Sequence, residues 1–135
     1  MYLLDTNVVS ELRKRRPHPA VVAWLEPVAE NDLYLSAVTI GELQAGVEPT
    51  RLQDAAKAAE IEAWVYQVAD TWNVLPMDAR MFRCWARLMR GRGDALLEDA
   101  MIAATAQTHN LIVVTRNLRD FVPFGVPTLD PFATR

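Results

Sequence analysis

The chain has 135 residues, 51% of them hydrophobic and 23% charged, which fits one folded domain and excludes a disordered protein. Its 14 basic and 17 acidic residues give a net charge of −3, so the overall charge does not indicate nucleic-acid binding. A local basic face is still compatible with that average. Cys84 is alone, which excludes an internal disulfide and favours a reducing cytoplasm. The apolar runs are far shorter than the roughly 20 residues of a membrane span, so we expect no membrane contact.

Apolar runs of strand length alternate with segments of helix length, and this alternation predicts a mainly parallel α/β sheet flanked by helices. In the first half of the chain the pattern predicts strands over residues 2–5 and 33–38. It also predicts helices over about 7–15, over 18–29, from a Thr39–Glu42 capping box to about Val47, and over 51–72.

The second half continues the alternation. Strands are predicted over residues 73–77, 111–115 and, at a sheet edge, 126–129. Helices are predicted from an Asp78 N-cap to about Arg90 and from about Asp94 to His109, with Asn110 at the C-terminal end. We find no linker long enough to divide the chain.

Four acids fall where a parallel sheet binds ligands, which is the edge formed by the carboxyl ends of its strands. Asp5 ends the first strand, and Glu42 lies in the first turn of the helix after the second. Asp99 lies early in the helix before strand 111–115, and Asp120 lies in the loop after it. Four carboxylates at one edge raise one another's pKa values unless a cation is bound, and an all-oxygen cluster suits Mg²⁺ or Mn²⁺.

Each acid also has a purely structural interpretation. Asp5 could cap the first helix, and Glu42 could be the third member of the capping box. Asp99 could complement a helix dipole, and Asp120 could be a solvated loop acid. Convergence at one edge favours the functional interpretation, because four structural roles would not require a shared location.

Three stretches resemble the PIN-domain ribonucleases, and more narrowly the VapC-type toxins of bacterial toxin–antitoxin pairs: MYLLDTNVVSEL, VTIGELQAGVE and LLEDAMIAATAQTHNLIVVTRNLRDFVPFGVPTLDPF. The resemblance covers about residues 1–132 and implies a single PIN domain over 1–135 with a three-layer fold. It further implies Mg²⁺-dependent endonucleolytic cleavage of RNA. A cognate VapB-like antitoxin and a homodimer are implied as well.

The resemblance extends to single acids. Asp5, Glu42 and Asp99 match the first, second and third acids of the family. The place of the fourth acid is occupied by Asn117, so Asp120 either takes over or only supports the site. In this arrangement Asp5 and Asp99 would bind the metal directly, while Glu42 and Asp120 would hold metal-bound water or act as a general base through it.

Polar residues beside the acids match supporting positions of the family. They are Thr6, Asn7 and Thr115, with Asn117 as a further candidate. We expect them to hold the carboxylates in place.

Basic residues offer two interpretations. Arg80, Arg83, Arg87 and Arg90 share one helix face, which is either a solvated face above an apolar core or a stripe that tracks RNA phosphates, helped by Arg92 and Arg116. Arg83, Arg87 and Arg116 are the substrate-contact candidates. The run Arg13–Arg16 either complements a helix C-terminus or contacts RNA or an acidic antitoxin segment.

The aromatic residues Trp24, Trp64, Tyr66 and Trp72 belong to the core or to a groove for an antitoxin helix. We also hypothesise that an antitoxin inserts a basic side chain among the carboxylates. Two competing functions stay open. One is a phosphatase with Asp5 as nucleophile, although Asn7 stands where its second Asp is expected. The other is a catalytically weak PIN-like module that binds RNA or protein.

Overall fold

The computed structural model describes residues 1–133, in which five strands form one sheet. The strands are β1 (Tyr2–Leu4), β2 (Leu33–Ser36), β3 (Asn73–Leu75), β4 (Ile112–Val114) and β5 (Thr128–Leu129). The helices are α1 (Thr6–Arg13), α2 (Pro19–Leu25), α3 (Ala37–Gln53), α4 (Ala55–Thr71), α5 (Ala79–Leu88), α6 (Leu97–His109) and α7 (Leu118–Phe121). Short 3-10 turns cover Glu30–Asp32 and Val122–Phe124.

The sheet has the order β3-β2-β1-β4-β5, and every neighbouring pair is parallel. All five carboxyl ends therefore lie along one edge, called the carboxyl edge below, with β1 at its centre. The register places Leu4 beside Val114. The predicted parallel α/β class and the edge strand near residues 126–129 are confirmed.

Both faces of the sheet are covered, which makes three layers. Leu4 and Val114 belong to a core shared with α1, α3 and α4, whereas Leu3 and Val113 belong to a second core shared with α6 and α7. Successive strand residues point to opposite faces, so this division follows from the two-residue strand period. Continuously apolar strands such as LIVV are typical of sheets buried on both sides. No helix in residues 1–133 is long and apolar enough to cross a membrane.

Several predicted boundaries were wrong. Helix α3 begins at Ala37, because the Ser36 hydroxyl accepts a hydrogen bond from the Val38 N–H at 3.1 Å and caps it. The Thr39–Glu42 capping box therefore does not exist, and Glu42 lies in the second turn. Helix α3 also continues through Pro49 to Gln53, packed along α4.

The last helices differ as well. Helix α6 begins at Leu97, three residues later than predicted. The loop before it contains Gly91 and Gly93 with positive φ angles, and Leu96, directly before the helix, also has a positive φ angle and so is not helical. Asn110 does end α6, with φ of 57°. Asp120 lies in the short helix α7, which the sequence analysis did not predict.

Candidate active site

Asp5 lies at the point where β1 ends and α1 begins, and only 5% of it is exposed. Its Oδ1 accepts the Thr6 N–H at 2.8 Å, so it does cap α1. Its Oδ2 accepts the Thr115 hydroxyl at 2.8 Å and the Asn7 amide at 3.1 Å. Burial raises the pKa of Asp5, and these three hydrogen bonds partly offset that rise. Asp5 is therefore a fixed, desolvated carboxylate as well as a cap.

Glu42 reaches the same edge from α3. Its Oε1 accepts the Thr6 hydroxyl at 2.7 Å, and that hydroxyl also lies 3.1 Å from the Thr39 hydroxyl. One hydroxyl carries a single proton, so the shorter contact to the carboxylate takes it, and buried Thr39 donates its own proton to Thr6. Burial raises the pKa of Glu42, and the charges of Asp5 and Glu98 add to that rise.

Asp99 lies in the first turn of α6 and is half-buried. Burial raises its pKa from 3.8 to about 6, with further contributions from the negative charges of Asp5, Asp120, Glu42 and Glu98. Thus the charge of Asp99 is influenced by acids at the end of β1, in α3, in α7 and next to it in α6.

Of the two candidates for the fourth acidic position, Asp120 is the one whose charge acts on the other acids. The charge of Asp120 raises the pKa values of Asp5 and Asp99. Asn117 is exposed, and its contact with the site is the hydrogen bond from its backbone N–H to the Thr115 hydroxyl at 3.0 Å. Of the two candidates, Asp120 therefore lies with the acids, and the Asn117 side chain does not support them within residues 1–133.

Glu98 was not selected by the sequence analysis, yet its charge raises the pKa values of Glu42 and Asp99. It is exposed and lies in the same first turn of α6 as Asp99. Its position directly before Asp99 was the only sequence signal that could have identified it.

The acids interact through charge and are not closed into a cage. Across residues 1–133, no three side chains of the His, Cys, Asp or Glu type are gathered closely enough to grip a metal ion by themselves. Mg²⁺ in proteins is commonly held by one or two carboxylates and several waters, so this open arrangement fits that ion in donor type and number. The all-oxygen donor set does not suit zinc.

Asn7 and Thr115 connect the acids to the loop after β4. The Asn7 amide group donates to the Thr115 hydroxyl at 3.2 Å as well as to Asp5, and its Oδ1 accepts the Arg116 N–H at 3.2 Å. Thr115 is fully buried. Thr6, Asn7 and Thr115 therefore all contact a carboxylate of the site, as the sequence analysis expected.

The arginines of α5 divide into bound and free groups. Arg80 donates to the Thr108 carbonyl at 3.0 Å, and Arg92, just beyond the helix, donates to the carbonyls of Leu88 and Pro123 at 2.8 and 3.1 Å. Arg83 and Arg87 are exposed and have no acidic partner in the described part of the chain. Arg92 is thus a structural tether, whereas Arg83 and Arg87 are available to a ligand.

The remaining candidates are on the surface or in the core. Within Arg13–Arg16, Lys14 pairs with Glu11 at 2.9 Å, and all four residues are exposed. Trp24, Trp64 and Trp72 pack against the first core, while Tyr66 is 62% exposed. Phe82 is also exposed, at 44%, and its ring meets that of Trp85 edge-on at 6.2 Å.

Comparison with known proteins agrees with this geometry. The PIN domain family matches residues 2–122. VapC ribonuclease Y4jK of Sinorhizobium fredii is 36% identical over 98% of both chains, and toxin FitB of Neisseria gonorrhoeae is 34% identical over 98% of this chain and 99% of its own.

Solved structures give the same result. The structure of FitAcB from Neisseria gonorrhoeae superposes with a TM-score of 0.85 at 33% identity, covering 99% of this chain and 100% of that one. A toxin–antitoxin complex from Klebsiella pneumoniae gives 0.74 at 27% identity, covering 99% and 100%. The fold and the acidic edge define a PIN domain, and the chain belongs to that family. Within the family it falls in the VapC group of ribonuclease toxins.

Proposed function

We propose that the protein is a Mg²⁺-dependent endoribonuclease, able to use Mn²⁺, and the toxin of a type II toxin–antitoxin pair. The observation that carries this proposal is the set of interacting acids from four separate segments at the carboxyl edge, where the pKa of Asp99 rises to about 6. Burial is the largest cause of that rise, and repulsion by the neighbouring acids adds to it. A partly buried cluster of acids favours a bound cation, because the cation stabilises the ionised form of each acid.

Asp5 and Asp99 are the acids that would hold the ion. The Asp5 Oδ1 accepts a single hydrogen bond and so keeps a lone pair free, and Asp99 is half-open to solvent. A bound Mg²⁺ supplies charge neutralisation on the phosphoryl oxygens and lowers the pKa of water. The negative charge of Asp120 raises the pKa values of both of these carboxylates.

The side chains of the protein perform the remaining tasks. Asn7 and Thr115 fix the Asp5 carboxylate in one orientation, and Thr6 does the same for Glu42. Because burial raises its pKa, Glu42 is a better proton acceptor near neutral pH than an ordinary glutamate and suits a general base. Fixed orientation matters because small displacements of catalytic groups cost large rate factors.

The competing functions fit these contacts less well. A phosphatase with Asp5 as nucleophile needs an acid two residues later, and Asn7 instead donates its amide hydrogen to Asp5. In a non-catalytic binding module, four mutually repelling acids would lower the stability of the fold without contributing to catalysis. Both alternatives remain distinguishable by experiment.

The antitoxin partner is proposed from the relatives. FitB of Neisseria gonorrhoeae is a toxin and the Klebsiella pneumoniae structure is a toxin–antitoxin complex, so we propose a cognate VapB-like antitoxin for this chain. From the resemblance to VapC-type toxins we also propose that the protein acts in the cytoplasm and forms a homodimer. An arginine or lysine of the antitoxin placed among Asp5, Glu42 and Asp99 would neutralise them and exclude Mg²⁺. RNA is the proposed substrate.

The proposal is tested by isosteric removal of charge. We expect Asp5→Asn and Asp99→Asn each to abolish RNA cleavage that EDTA also abolishes, while circular dichroism shows a folded protein. Asp70→Asn is the matched control, because Asp70 is exposed on α4. Full cleavage by either site variant would exclude the metal-site assignment, and a covalent phosphate trapped on Asp5 would support the phosphatase instead.

A further inference from the structure

Arg116 is held at the carboxyl edge by its backbone. It follows Thr115, whose hydroxyl donates to Asp5, and its own N–H donates to the Asn7 Oδ1 at 3.2 Å. Asn7 in turn donates to the Asp5 Oδ2 at 3.1 Å. The main chain of Arg116 is therefore two hydrogen bonds from the most buried acid of the site.

The guanidinium group of Arg116 lies over the ring of Phe132, with its carbon 4.3 Å from the ring centroid. Stacking uses the flat face of the guanidinium group and leaves its N–H donors free, since these lie in its plane. No acceptor within residues 1–133 takes a hydrogen bond from that group, and Arg116 is exposed. The donors of Arg116 are thus oriented and available at the edge.

Phe132 is a rigid support for this arginine. It is 8% exposed and belongs to the first core. Its backbone N–H donates to the Asp130 Oδ1 at 2.9 Å, and the His18 ring meets it edge-on at 5.6 Å and 73°. The backbone N–H of His18 donates to the Glu11 Oε2 at 2.9 Å, which connects His18 to α1. The segment after β5 and the start of α2 together hold the ring in place.

We propose that Phe132 is a positioning residue that holds the Arg116 guanidinium against an RNA phosphate next to the scissile bond. Arg83 and Arg87 have no such support, since no aromatic ring of the described chain stacks on them. An arginine confined to one orientation loses less freedom on binding phosphate and therefore binds it more tightly. The proposal rests on the ribonuclease function above.

The test separates RNA binding from cleavage. Binding of a fluorescein-labelled single-stranded RNA 20-mer is measured by anisotropy over a salt series, with Asp99→Asn in every protein to prevent cleavage. Arg116→Ala is expected to make the slope of log K against log salt shallower by about 0.7, the value for one phosphate contact. Phe132→Leu, which keeps apolar volume but removes the aromatic face, is expected to raise Kd about threefold to tenfold.

The matched control is Phe124→Leu. Phe124 is 6% exposed and supports Arg92 by the same kind of stacking, at 5.1 Å, but lines a cavity with Asn110 and Leu111 at the opposite edge of the sheet. It is expected to leave Kd unchanged. In the Arg116→Ala background, Phe132→Leu is expected to have no further effect on Kd. Phe132→Met provides a second variant if leucine lowers the yield of folded protein.

Three outcomes would overturn the proposal. They are an unchanged Kd in Phe132→Leu, an equal rise of Kd in Phe124→Leu, and an additive rise in the double variant. In active protein with Asp99 present, we expect Phe132→Leu to raise KM for RNA and to leave kcat within about twofold. Absence of cleavage by the unmodified protein would refute the ribonuclease function itself, whereas the anisotropy results would still decide the role of Phe132.

Discussion

Asp99→Asn is expected to stabilise the metal-free protein. The rise of the Asp99 pKa from 3.8 to about 6 means that ionising this residue is harder in the folded than in the unfolded chain. Taken at face value the rise corresponds to about 3 kcal/mol at pH 7.5. Asp99 is only half-buried, so solvent screening reduces the expected gain on substitution to about 1–2 kcal/mol.

The sign of the pH dependence follows from the same rise. Below about pH 3.5 Asp99 is protonated in both states and the substitution changes little. Between about pH 4 and 6 the unfolded chain ionises first, so wild-type stability falls as the pH rises. Above about pH 6.5 the destabilisation is complete. The advantage of Asp99→Asn at pH 4.5 is therefore expected to be about a third of that at pH 7.5.

The assay is urea unfolding of metal-free wild type and Asp99→Asn at the two pH values in EDTA, followed by circular dichroism, with Asp70→Asn as the control. A wild type that is as stable as Asp99→Asn at pH 7.5, or an advantage independent of pH, would refute the reasoning. Adding Mg²⁺ at about 100 times its Kd is expected to stabilise the wild type by about 2.7 kcal/mol. Asp99→Asn is expected to lose most of that gain, because it lacks one of the two acids proposed to hold the ion.

Two further predictions concern the neighbours of the acids. Thr6→Val removes the hydroxyl that lowers the pKa of Glu42, so we expect the acidic limb of the kcat–pH profile to move to higher pH and kcat to fall about tenfold. An acidic limb that stays at the same pH would exclude Glu42 as the base. Thr71→Val is the control, because the Thr71 hydroxyl donates to the Gln67 carbonyl on α4, away from the acids. Arg83→Ala with Arg87→Ala is expected to make the salt slope of RNA binding shallower by about 1.4 in the anisotropy assay, and an unchanged slope would show that this face of α5 is only solvated.

The sequence was sufficient for features that depend on long or repeated patterns. Continuous apolar strands such as the one ending at Thr115 predicted a parallel sheet, and the position of Asp5 at a strand end predicted the edge at which ligands bind. The convergence of Asp99 with Asp5 followed from topology alone, since a helix that returns to the start of β4 must begin near the opposite edge. These inferences needed no side-chain geometry.

The errors arose where a local pattern had two possible uses. Thr39 and Glu42 have the spacing of a capping box, but Ser36 caps α3 instead and Thr39 contacts Thr6, 33 residues away in the chain. A four-residue helix such as α7 is too short to show a periodic pattern, so the sequence did not reveal that Asp120 lies in a helix and not in a loop. The hydrogen bond from the Asp120 N–H to the Asn117 carbonyl, at 3.1 Å, turns the chain there.

The stacking of Arg116 on Phe132 was not predictable for a related reason. Sixteen positions separate the two residues, they lie in irregular segments, and no spacing rule connects them. Such contacts depend on where β5 ends and on how the following segment packs against His18. Side-chain contacts between loops are therefore the part of this site that only the folded structure reveals.

Repulsion among the acids links the proposed activation and inhibition of the enzyme. Burial and mutual charge raise the pKa values of Asp5, Glu42 and Asp99, so the ionised site is destabilised without a cation, and a suitably placed cation stabilises it. Mg²⁺ would stabilise the ionised acids and enable cleavage. An arginine or lysine of an antitoxin would stabilise the same acids without supplying Lewis-acid chemistry. Because both would neutralise the same carboxylates, metal and antitoxin side chain would exclude each other, and a site poised to bind metal would also be easy to inhibit.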